Sequence, residues 1–140
     1  MSASLRNVGR IEVQVQPPIG LGQLAGAERR IIPITGGTLS VSGLSGTILP
    51  GGADIQAVRS DGTIELTARY AIDLGEAGML LVENTGLRRA GPTPSDPPYF
   101  RGVMRFTAPS GALQWLNDSV FINTGRREGG TVILDVFEVC

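Results

Sequence analysis

The sequence contains no histidine and no lysine, and these two absences exclude more chemistry than any one motif supplies. Without histidine there is no Ser-His or Cys-His nucleophile pair and no ordinary zinc site. Without lysine there is no Schiff base and no Walker-type phosphate loop. The one cysteine, Cys140, is the last residue, which excludes an internal disulfide and a prenylated C-a-a-X tail and leaves a passive thiol. Charge is sparse and balanced: 12 cationic and 13 acidic side chains give a formal net charge of -1, so nucleic acid is not an expected partner. No apolar run approaches the roughly 20 residues of a membrane span, and Met1 to Arg6 lacks the apolar core of a signal peptide. No membrane partner is expected, and the reading is cytoplasmic. Carboxylates, tyrosines and arginines are what remain for catalysis. No carboxylate cluster has calcium or magnesium spacing, so no metal and no cofactor is expected.

What the chain does have is glycine, 20 residues of it, punctuating short β-branched runs. Arg10 to Gln16 places Ile11, Val13 and Val15 on one face and Glu12, Gln14 and Gln16 on the other, the signature of a half-buried strand. Further strands are expected at Arg30–Thr35, Thr38–Val41, Leu44–Leu49, Asp54–Arg59, Thr63–Ile72, Met79–Glu83, Tyr99–Phe106, Val120–Thr124 and Thr131–Val139. About nine to ten mostly antiparallel strands in one domain, residues 1–140, favour an all-β, closed or nearly closed barrel, since closure removes exposed edges. Gly20 to Gly26 reads as a loop, Gly86 to Pro98 as a long proline-rich loop fit for a lid, and Gly125 to Gly130 as a hairpin turn. Gly111 to Asn117 is locally helical but short, and reads as a turn that caps the barrel. The last strand is apolar on both faces, with Ile133, Phe137 and Val139 on one and Val132, Leu134 and Val136 on the other. The second face suggests a homodimer or higher symmetric oligomer.

Asp54 is the richest candidate for chemistry, because Gly51-Gly52-Ala53 lets the backbone before it pass close to a ligand or another segment. In a pocket, burial would raise its pKa and fit it for general acid-base work; in a turn it would only satisfy backbone donors. The hairpin turn at Ser60-Asp61-Gly62 bears on that choice. A two-residue loop sets Asp54 opposite Arg69 and Gln56 opposite Thr67 on a polar face. A three-residue loop sets Asp54 and Gln56 beside Leu66, Ala68 and Tyr70, giving carboxylate, amide and phenol in an apolar lining. Glycine after Asp61 suits both turns, and the sequence leaves the register open. Trp115 and Asn117 form a second constellation, a pocket wall with a hydrogen-bonding amide or a core plug with a capped turn. Arg101, after Tyr99-Phe100, is suited to holding a substrate oxygen through its planar fork of donors.

Several ordered blocks resemble the family of small proteins called domain of unknown function 3237, or UPF0311. They are Ile31-Ile32-Pro33-Ile34-Thr35-Gly36-Gly37, Leu49-Pro50-Gly51-Gly52-Ala53-Asp54, Asp61-Gly62, Ala68-Arg69-Tyr70, Asn84, Gly86, Tyr99-Phe100-Arg101, Trp115-Leu116-Asn117 and Asp135-Val136. The likeness spans almost the whole chain and implies a compact β-barrel. It departs from the family pattern at Ile55, where a tryptophan is usual, and at Ala90, near which a histidine is often found. Some fungal relatives resemble enzymes that close an oxygen ring by adding a hydroxyl across an alkene. The expected function is therefore a cofactor-free acid-base enzyme acting on a small, largely apolar oxygenated metabolite, with a non-catalytic binding barrel or a structural homo-oligomer as the alternatives. The candidate site comprises Asp54, Tyr70 and Arg101 for catalysis, with Ile55, Gln56, Arg69, Asn84, Trp115 and Asn117 against the substrate.

Overall fold

Gly36 and Gly37 do not interrupt the sheet. In a computed structural model, which describes residues 1–140, the two strands expected on either side of them are one, β3, spanning Ala27–Val41. Gly37 has a φ of 129°, and a Cβ there would strike the Glu12 carbonyl oxygen of the neighbouring strand, so only glycine fits this bend. The bend lets the two halves of β3 serve different partners. Its first half pairs with β2 (Ile19–Leu24) and β5 (Gly52–Val58), and its second with β1 (Leu5–Val15) and β4 (Leu44–Ile48).

The remaining strands are β6 (Ile64–Asp73), β7 (Met79–Arg89), β8 (Tyr99–Thr107), β9 (Val120–Glu128) and β10 (Thr131–Val139), joined as antiparallel neighbours. β10 pairs with β1, and β1 with β3, while β4 and β5 share the position between β3 and β6. The result is a closed eight-stranded antiparallel barrel with two extra strands.

Several strands run longer than their hydrophobic patterns indicate. β1 begins at Leu5 because a bulge at Gly9 keeps Val8 pointing inward after the register slips. Gly20 to Leu24, expected as loop, belongs to β2: Ala25 and Gly26 both take positive φ, 50° and 78°, and form a tight turn that folds β2 onto β3. β2 is exposed throughout, which is why it shows no apolar alternation. The long loop begins at Ala90 rather than Gly86, since Gly86, Leu87, Arg88 and Arg89 continue the ladder to β8.

The two ends of the barrel differ. At one end Phe106 and Phe121 meet edge to face with centroids 5.0 Å apart, and Trp115 packs on Phe121 at 5.8 Å. The short helix α1 (Trp115–Asp118) closes that end with the buried side chain of Leu116. The other end, carrying the β5–β6, β7–β8 and β9–β10 connections, leads into a cavity.

Candidate functional site

The β5–β6 hairpin takes the three-residue register. Asp54 lies opposite Ala68, Gln56 opposite Leu66 and Val58 opposite Ile64. Ser60-Asp61-Gly62 forms the loop: Gly62 at φ 88° donates its N–H to the Arg59 carbonyl, and the Asp61 carboxylate accepts from the Thr63 N–H at 2.9 Å. The positive φ that glycine supplies is what a type I turn with a following bulge requires. The consequence for the site is large, because a shift of one residue would have sent Asp54 and Gln56 to the outer wall.

Inside, cross-strand neighbours form rows. Asp54, Ala68, Asn84, Met104 and Phe121 make one row, and Gln56, Leu66, Gly86, Gly102 and Asn123 the next toward the open end. A narrow cavity of about 50 Å³ lies among them, with Val13, Ile32, Ile34, Leu66, Phe100 and Leu134 supplying most of its apolar wall. That volume admits only a few waters, at roughly 10–15 Å³ each. A hydrogen-bonded chain enters its side. Arg30 donates from Nε to the Gln56 Oε1 at 2.6 Å, and Gln56 donates from Nε2 to the Asp54 Oδ2 at 2.7 Å. The other carboxyl oxygen, Asp54 Oδ1, is buried without a hydrogen-bond partner. Burial raises the Asp54 pKa above its ordinary value; the Gln56 amide, the nearby Thr67 backbone N–H and the Arg30 charge pull the other way without prevailing. Oδ2 accepts from Gln56, so Oδ1 is the carboxyl oxygen left free for a proton or a ligand.

Tyr70 lies beyond Asp54 toward the closed end and also lines the cavity. Its hydroxyl is buried and unpartnered, and burial alone pushes the phenol far above its ordinary range, so it stays a neutral donor. Asn84 accepts at Oδ1 from Asn123 Nδ2 at 2.8 Å, a buried pair for which Gly102 makes room: a Cβ at Gly102 would collide with both amides. Nearer the open end Arg88 and Arg127 line the cavity.

Residues 3–139 match the family described as Protein of unknown function (DUF3237). The chain belongs to the DUF3237 family. The UPF0311 protein RPA1785 of Rhodopseudomonas palustris is 38% identical to it over 130 residues, 84% of each chain. The crystal structure of RPA1785, a conserved protein of unknown function, has a TM-score of 0.91 with this chain at 34% identity, covering 100% of this chain and 99% of that one. A β-barrel-like protein from Acinetobacter baumannii gives a TM-score of 0.91 at 29% identity, covering 100% and 98%. An enzyme from Penicillium herquei shares the fold, with a TM-score of 0.74 at 20% identity over 100% and 96% of the two chains.

The DUF3237 barrel brings four of the nine sequence candidates together: Asp54, Gln56, Tyr70 and Asn84 all line its cavity. The other five stand elsewhere. Ile55 faces outward between Ile31 and Thr67 and is 53% exposed, because alternation along β5 reverses its direction from that of Asp54. Arg69 is outward for the same reason and donates to Glu83 at 2.7 Å. Arg101, on the outer face of β8, donates to the Phe100 carbonyl and lies 5.1 Å from the Tyr99 ring centroid; it does not line the cavity. Trp115 packs at the closed end, and Asn117 braces it by accepting from the Ala108 N–H and donating to the Ala108 carbonyl. The Ala90–Pro98 loop forms a surface pocket with Arg89, Tyr99 and Arg101 and contributes nothing to the cavity wall.

Sequence reasoning missed Arg30, Arg88, Arg127 and Asn123. The signal was alternation: Arg88 follows Asn84 and Gly86 on one strand face, Arg127 follows Asn123 and Gly125, and Arg30 precedes Ile32 and Ile34. β7 and β9 had been expected to end at Glu83 and Thr124, before these arginines. A wider depression of about 660 Å³ also exists on the outer wall, lined in part by Arg69, Leu81, Glu83 and Arg105. Tyr70 borders both, but the groove is open and lacks Asp54, whose buried, unpartnered carboxyl oxygen belongs to the cavity alone. We therefore place the candidate site inside the barrel.

Proposed function

We propose that the barrel interior holds a small, largely apolar oxygenated molecule and that Asp54 acts on it as a cofactor-free general acid. The observation that carries this reading is the buried, unpartnered Asp54 Oδ1 in an apolar wall. An intramolecular hydroalkoxylation is the reaction that uses these groups most fully, and it is the one suggested by the family resemblance. Asp54 gives its Oδ1 proton to an alkene carbon. The substrate hydroxyl oxygen bonds to the adjacent cationic carbon, and the proton it sheds returns to the Asp54 carboxylate. Atoms and electrons balance without an oxidant, since the product is an isomer of the substrate. Gln56 holds Oδ2 and so fixes which oxygen faces the substrate, while the neutral Tyr70 hydroxyl donates to a substrate oxygen. The apolar wall keeps out water that would compete with the substrate hydroxyl.

The test is Asp54→Asn, which retains the shape and an acceptor for Gln56 but has no transferable acid proton. An infrared band of a protonated carboxyl that persists at pH above the ordinary 3.8 is expected in the unaltered protein and not in the variant. Turnover of a ring-closing substrate is expected to fall at least roughly 100-fold, the lower end for loss of a general acid. A fully active Asp54→Asn protein would remove Asp54 from the chemistry. Saturable binding without product in the unaltered protein would reduce the barrel to a binding module.

A further inference from the structure

We infer that the open end of the barrel reads anions: Arg30, Arg88 and Arg127 select a ligand whose apolar body ends in a carboxylate or a phosphate-type oxyanion. The inference rests on the cavity being the ligand site. The three arginines come from β3, β7 and β9, and each occupies an inward-facing position at the same end of the barrel. Arg30 lies opposite Gln56, Arg88 opposite Phe100 and Arg127 opposite Val132.

None of the three forms an ion pair. The acidic side chains nearby are engaged elsewhere or stand alone: Glu65 holds Arg59, Glu128 holds Arg126, and Glu28 pairs with nothing. The Arg88 side chain makes no hydrogen bond, and its guanidinium lies 5.8 Å from the centroid of the Phe100 ring. Arg127 donates from Nε to the Gly129 carbonyl at 2.9 Å, and Arg30 from Nε to Gln56, which leaves the terminal N–H groups of both uncommitted. Burial lowers the pKa of Arg88, and the charges of Arg127 and Arg30 lower it further, so the cations are close enough to repel. The only carboxyl lining the cavity is Asp54, whose own pKa is raised. Arg30 and Arg88 are partly buried and Arg127 is exposed at the rim. A cluster of guanidiniums with mutual repulsion and no counter-ion is the arrangement an incoming oxyanion relieves, and their planar forks match carboxylate or phosphate oxygens.

The direction of the ligand follows. Its anionic head lies among the arginines and its apolar body points inward toward Asp54 and Tyr70. Along β7, Arg88 is four residues from Asn84, which shares the row of Asp54 across the intervening Ala68, a backbone separation of about 13 Å at strand rise. The narrowness of the cavity requires the flexible arginine stems to swing outward on entry, so a short apolar chain is the appropriate first probe.

Hexanoate, hexyl phosphate and hexanol would be titrated against the intact protein by NMR at low salt. At least one of the two anions is expected to bind about tenfold or more tightly than hexanol, the gain of one charge-assisted hydrogen bond or more. Comparing hexanoate with hexyl phosphate identifies the preferred head group. Added salt should weaken anion binding and leave hexanol unchanged. Arg88→Gln and Arg127→Gln should each reduce the anion preference while preserving hexanol affinity and melting temperature. Equal affinities for all three probes, no saturable binding of any, or a parallel loss of anion and alcohol binding in both variants would overturn the inference. If the preference is lacking while the protonated Asp54 band is present, the mouth is refuted and the acid reading stands; the reverse result refutes only the acid.

Discussion

Two buried oxygens without partners, Asp54 Oδ1 and Tyr70 Oη, set the terms at the scale of single residues. A buried donor that bonds to nothing contributes no hydrogen bond to stability, and its desolvation costs about 1–3 kcal/mol. Tyr70→Phe is therefore expected to leave the protein as stable as before or to stabilise it by up to about that amount, while weakening any ligand that accepts from the hydroxyl. Urea denaturation and ligand titration on the same variant check both halves, and a marked loss of stability would mean that the hydroxyl has a partner after all. Asp54 makes a pH prediction. Its folded pKa is raised above the ordinary 3.8, so between the two values the folded state holds a proton that the unfolded state has released. Stability due to this group is then highest below the ordinary value, falls as pH rises through the window, and stays reduced above it. Asn cannot titrate. The melting temperature of Asp54→Asn relative to the unaltered protein is expected to increase as pH rises from below 3.8 through that window; a constant difference would show that the Asp54 pKa is not raised.

At the scale of elements, glycine decides which strands are continuous and where they close. Gly37→Ala combines a φ of 129° with a backbone collision against Glu12, while Gly43, at φ 79° in the β3–β4 turn, has nothing near the position of a Cβ. Alanine at Gly43 should cost about 1–2 kcal/mol, the left-handed penalty alone. Alanine at Gly37 should cost about 3 kcal/mol or more, because overpacking adds to that penalty. Denaturant midpoints of the two variants measure the difference, and equal losses would mean that the sheet relaxes around β3 at no cost. Gly102 plays a different part. Its missing side chain is space for the Asn84–Asn123 amide pair, so the polar wall of the barrel and its glycine form one unit.

For the whole molecule, closure makes an inside and an outside, and the outside is not uniformly polar. Ile19, Ile31, Ile55, Thr67, Thr85 and Val103 are successive cross-strand neighbours around the outer wall, and Ile19, Ile55 and Val103 are each about half exposed. On β10, Ile133 is buried within the single chain, while Phe137 and Val139 are only partly covered. A strip of exposed isoleucine and valine interrupted only by threonines is a candidate interaction surface. The homo-oligomer expected from the sequence predicts a dimer or larger mass by light scattering at micromolar concentration, and Ile55→Lys should shift that mass toward the monomer. Monomer mass in the unaltered protein would show that the strip is left to water. No helix is long and apolar enough to cross a membrane.

The all-β class, the closed barrel and the family were legible in the sequence because period-two alternation and glycine-bounded blocks are local properties. Asp54 was legible as a candidate for the same reason, since its glycine approach is contiguous in the chain. Whether it faced a cavity or solvent was not, because Asp61-Gly62 supports two registers whose difference of one residue reverses every side chain on the strand. The barrel chose the register that sets Asp54 and Gln56, rather than Ile55 and Ala57, beside the buried Leu66, Ala68 and Tyr70. Arg101 and Trp115 show the opposite case: each stands in a family-like block, yet strand alternation turns one outward and chain closure places the other at the far end. The arginine mouth lay outside local reasoning altogether. Arg30, Arg88 and Arg127 are widely separated in sequence, and only closure of β3, β7 and β9 into one ring brings three like charges to one opening.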